Sequence, residues 1–172
     1  MNRRTLLRRT GILCLSTLRN LAFHRAMADA KKTWETKQFW VTAHNNYLDV
    51  AILEWCKLFT DRAGMHHWRK SVTNQDKLMV ALLAHIRCSE DGYRAYAISI
   101  KTYRDTFVAH LDEANDVNVP KMSIARLSTQ FLYKWLLSNE DDCNAFHGAP
   151  PRPEEFYLLS LAHARKSLRS EA

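Results

Sequence analysis

The chain has very few residues that break regular structure: four Gly and four Pro in 172. That scarcity excludes a fold built on frequent tight turns and favours long helices joined by few loops. Period-two alternation of useful length is absent, which argues against strands. No segment repeats, and no linker divides the chain. The apolar run Thr10–Leu18 falls well short of the roughly 20 residues that span a bilayer. Cysteine is scarce too. Cys14, Cys56, Cys88 and Cys143 form no C-x-x-C pair, and three of them lie in apolar helical patterns. They read as reduced, mostly buried thiols of a cytoplasmic protein, with a disulfide between distant helices left open.

What is present is a globular composition, 47% apolar, with a net charge of +7. The excess is confined to residues 1–34, where Arg3, Arg4, Arg8, Arg9, Arg19, Arg25, Lys31 and Lys32 face one acid, Asp29. Such a block suits polyanions or membrane surfaces, or forms a solvated helix face. Arg3-Arg4-Thr-Leu-Leu and Ala26-Met-Ala28 bear some likeness to a twin-arginine signal with its cleavage site. Arg19, His24 and Arg25 interrupt the apolar run that such a signal needs, so a cytoplasmic amphipathic helix is the expectation.

Three- and four-residue apolar spacing predicts six helices, at about 4–30, 35–60, 74–87, 90–111, 121–138 and 153–169. In the second, Trp40, Tyr47, Ala51, Trp55 and Leu58 should be buried against several neighbours, with His44 a satisfied core histidine. Thr73 should cap the third, with Asp76 at its third position. The last should bury Phe156, Leu158, Leu159, Leu161 and Ala162. His66-His67 is a metal-like signal, but adjacent residues diverge, no Cys is near and no His lies three or four positions away. Neither metal nor other cofactor is expected. The fold class is one all-α domain over residues 1–172, an up-and-down bundle of five to six helices. Residues 1–34 form a basic helix packed on the bundle or extending from it.

Chemically capable residues enter a strong apolar pattern only in Lys101-Thr-Tyr103-Arg104-Asp105-Thr-Phe-Val-Ala-His110-Leu-Asp112. An imidazole can move a proton from a ribose 2′-hydroxyl or to a leaving oxygen. A guanidinium can hold the charge that builds on a phosphodiester under attack. His110 and Arg104 are therefore candidate catalytic groups, and Asp105 can orient either. Lys101, Tyr103, Arg8 and Arg9 are candidate nucleic-acid contacts. On a straight helix, Arg104 and His110 stand about 120° apart and about 9 Å along the axis. To act on one phosphate, the helix must end or distort between them, or a second subunit must complete the site. The alternative is an Arg paired with an acid at the bundle edge and a His that merely ends a helix.

Arg104-Asp105-x-x-x-x-His110 resembles the R-x(4–6)-H motif of the HEPN superfamily, with a polar residue directly after the Arg. The run Tyr103–Asp112 resembles its AbiU2-like abortive-infection group. The resemblance implies a helical bundle that dimerises, so that two motifs face one cleft. It implies a metal-independent endoribonuclease or RNA-binding protein of toxin–antitoxin or phage-defence type, with RNA and an antitoxin as partners. By that resemblance Arg104 and His110 are catalytic and Asp105 assists. The competing expectations are a non-catalytic helical interaction module and, more weakly, a periplasmic or membrane-associated helical protein.

Overall fold

Helix α1 (Arg3–Asp29) is the element on which the helices Gln38–Phe59, Met122–Trp135 and Pro153–Ser170 pack. Leu7, Cys14, Leu18, Leu21 and Ala22 bury a stripe along it, and Asn2 caps its start by accepting from the Thr5 amide at 2.8 Å. The basic N-terminal helix is thus a central member of the bundle, its cations spread over the faces the core leaves free. Gly11 lies inside α1. It lets the Phe146 ring lie against the helix backbone, where any β-carbon would collide with that ring.

The computed structural model describes residues 1–108 and 119–170. Among them the chain is an all-α bundle without strands. After α1 come a single turn, α2 (Lys31–Trp34), and the long α3 (Gln38–Phe59). A second short turn, α4 (Trp68–Ser71), precedes α5 (Gln75–Ile86), α6 (Glu90–Tyr103), α7 (Met122–Trp135) and α8 (Pro153–Ser170). One contiguous apolar core draws residues from α1 and from every element between α3 and α8.

Several expectations are corrected. The N-terminal half of α3 is only partly covered: Trp40 and Tyr47 are half-buried and Phe39 is 72% exposed, whereas Ala51, Trp55 and Leu58 are buried. The α5 cap is Asn74, whose side chain accepts from the Lys77 amide at 3.0 Å. Thr73 is drawn away from that role because its amide and hydroxyl donate to Glu140, at 3.0 and 2.7 Å. In α8 the buried positions are Pro153, Tyr157 and Leu161, while Leu158 and Leu159 point outward. Apolar character alone does not choose the buried face when two stripes compete. In the connection between α3 and α5, His67 is the N-cap of α4. Its Nδ1 accepts from the Arg69 amide and its Nε2–H donates to the Phe59 carbonyl, both at 3.3 Å.

Candidate functional site

Helix α6 carries the candidate residues, starting from a Ser89 cap that accepts from the Gly92 amide at 3.1 Å. Tyr93, Ile100 and Tyr103 bury one stripe against the core, with Tyr96 and Phe107 half-buried beside them. The α-helix gives way at Arg104 to a π-helical turn, Arg104–Val108. Such turns carry an extra residue and recur at functional sites.

Arg104 is held from two sides. Its Nε donates to Asp105 Oδ1 at 2.8 Å, and its Nη1 donates to Asp61 Oδ1 at 2.6 Å. Its side chain is 15% exposed. Burial opposes its charge, but the hydrogen bonds to Asp61 and then Asp105 outweigh burial and raise its pKa above the usual arginine value. Lys101 Nζ lies 3.8 Å from Asp105 Oδ2. The four groups form a balanced cluster of two cations and two carboxylates. An incoming phosphate must compete with those carboxylates for the guanidinium, which they also hold in a fixed orientation.

Not every expected residue joins this cluster. His110 lies outside the described residues, as does Leu111. Tyr103 is a core residue and not a surface contact: its ring packs on Phe107 with centroids 5.4 Å apart, and burial, then Asp49, pushes its phenol pKa up. Arg8 and Arg9 are exposed on the first turns of α1. Burial, then the positive field of Arg9 and Lys57, lowers the pKa of His66.

Asp61 was not singled out from sequence, although a signal exists. A carboxylate just past a helix C-terminus opposes the helix dipole and calls for a cation. Cys56 sits nearby, and burial raises its thiol pKa, so it is not an activated nucleophile. Among the described residues, no group of three His, Cys, Asp or Glu side chains is arranged to hold a metal, and no helix is long and apolar enough to cross a membrane. No protein-family model matches the chain, and neither a curated protein nor a solved structure does.

Proposed function

We propose that the chain is a HEPN-type, metal-independent endoribonuclease or RNA-binding protein of a toxin–antitoxin or phage-defence system, acting in the cytoplasm as a homodimer. The observation that supports this reading is the 2.8 Å bond from Arg104 Nε to Asp105. The acid that follows the motif arginine orients it, as an assisting residue should. In the two-subunit form of the proposal, His110 of one copy meets Arg104 of the other. The guanidinium then holds the phosphate while the imidazole moves the proton. Arg8 and Arg9 supply backbone contacts, which should make RNA binding steeply salt-dependent.

The test is RNA cleavage, or growth arrest on expression, by His110→Ala. The expected result is loss of activity in a folded dimer, with the parent unaffected by EDTA. Equal activity in variant and parent overturns the reading.

A second reading has its own support. Asp61 and Asp105 together balance Arg104, as in a structural tie, and Phe39, Ile98 and Leu159 leave apolar surface exposed. This fits a non-catalytic interaction module. It requires that Arg104→Ala lower the melting temperature and that no RNA be cleaved by the parent chain.

A further inference from the structure

A groove of about 580 Å³ lies among α1, α7, α8 and the segment that leads into α7. Neither Arg104 nor Asp61 lines it. His24 on its wall stacks on His44, ring centroids 4.2 Å apart. His44 is near the start of α3, about 22 Å along the helix axis from the end that precedes Asp61. The groove is thus a separate feature of the bundle.

Its lining has two characters. Leu21, Val119, Pro120 and Leu161 give an apolar wall, while Arg25, Lys121 and Arg126 supply positive charge, and no carboxylate appears among the described lining residues. Arg25 is paired with Asp29 at 2.9 Å. Lys121 and Arg126 form no ion pair with a described carboxylate. Arg126 instead lies over the Tyr157 ring, 5.1 Å from its centroid. That contact holds the guanidinium at the groove, with no carboxylate partner among the described residues. The first turn of α7 opens beside Lys121, whose own side chain does not cap it; the Tyr96 hydroxyl accepts from the Ala125 amide at 3.1 Å, and the helix N-terminus adds to the positive potential. Burial, then the field of His44, lowers His24 to a pKa of about 4, so its ring is neutral at pH 7 and serves as a flat wall.

We infer that this groove binds a nucleotide. Its phosphate is held by Lys121 and Arg126, and its base lies against the apolar wall. The volume falls within the usual range of about 300–1,000 Å³ for small-ligand sites. A guanidinium offers paired donors that match phosphate oxygens. Two cations that pair with no described carboxylate, beside an apolar surface, call for a ligand with an anionic end and an apolar body, which inorganic phosphate lacks. The nucleotide is either free or part of an RNA strand, and the site does not depend on the Arg104 cluster.

The test is calorimetric titration of the full chain with adenosine 5′-monophosphate, inorganic phosphate and a single-stranded RNA hexamer. The monophosphate should bind at least about tenfold tighter than phosphate, and Lys121→Ala with Arg126→Ala should weaken it by about tenfold or more. Binding of the hexamer alone, lost in the same variant, assigns the site to a nucleotide within a strand and supports the inference. Lys121→Glu, at an exposed position, should weaken binding without change in melting temperature. Equal affinity for phosphate and monophosphate overturns the inference, as does unchanged binding in both variants. His110→Ala should leave the monophosphate titration untouched, so loss of RNA cleavage and loss of nucleotide binding are read separately.

Discussion

The Arg104 guanidinium meets the Asp61 carboxylate at 2.6 Å across 43 positions of sequence, tying the end of α6 to the segment just past α3. Asp105 adds a second bond from the neighbouring position at 2.8 Å. The pair is partly buried, so it is screened less than a surface ion pair. Arg104→Ala should cost about 1–2 kcal/mol, between the values for exposed and buried pairs. In a chain of this size that lowers the melting temperature by about 2–8 °C. Asp61→Asn should cost a similar amount, and the double variant should cost clearly less than the sum. Full additivity in a denaturation cycle would show that the tie is not coupled.

Glu140 gathers a second polar centre. Its side chain is only 2% exposed. Thr73 donates to it twice, Arg3 at 2.8 Å and Trp135 Nε1 at 3.3 Å. Burial would raise its pKa, yet the hydrogen bonds from Thr73, Arg3 and Trp135 outweigh burial and hold the carboxyl below the usual glutamate value. The folded pKa is depressed, so the stabilisation is complete above the unfolded value and is lost as pH falls through the folded one. Glu140→Gln should destabilise at pH 7 by about 1–3 kcal/mol. Urea unfolding at pH 7 and below pH 4 should show the gap between variant and parent closing in acid.

His24 gives a different pH window. Burial, then His44, lowers its pKa from 6.5 to about 4. The unfolded chain therefore binds a proton that the folded chain refuses between those values, and stability falls as pH drops from 6.5 toward 4. His24→Phe keeps a flat ring beside His44 and removes that proton. Melting curves collected between pH 7 and pH 4.5 should fall less steeply for the variant than for the parent. Parallel curves would rule out His24 as the source.

Gly11 tests packing against propensity. Alanine is favoured over glycine inside a helix by about 1 kcal/mol. Here its β-carbon would strike the Phe146 ring, which is buried edge-on to Tyr133, centroids 5.7 Å apart. Overpacking of this kind costs about 1–3 kcal/mol, so Gly11→Ala should lower the melting temperature despite the better propensity. Phe146→Leu in the same chain should recover part of the loss. A Gly11→Ala protein more stable than the parent would mean that the ring yields freely.

The six long helices were legible in the linear chain because apolar spacing repeats locally and Gly and Pro are few. The single turns α2 and α4 were not, since one turn contains too little periodicity to register. The α5 cap shifted from Thr73 to Asn74 because Glu140, remote in sequence, claims the threonine. Leu158 and Leu159 look like core residues in one dimension and are outside in three, since Tyr157 and Leu161 already fill the face that meets the bundle.

At the candidate site, sequence alone determined that Arg104 and Asp105 lie together late in an apolar helix, and that a straight helix could not bring Arg104 and His110 to one phosphate. It could not reveal that Arg104 would find Asp61, that the helix would pass into a π turn at that residue, or that Lys121 and Arg126 would share a groove with α1. Those are pairings between residues remote in the chain. Local propensity specifies which segments coil. Charge partners, helix faces and cavities are settled only when separate helices compete for the same core, and that competition belongs to the tertiary fold.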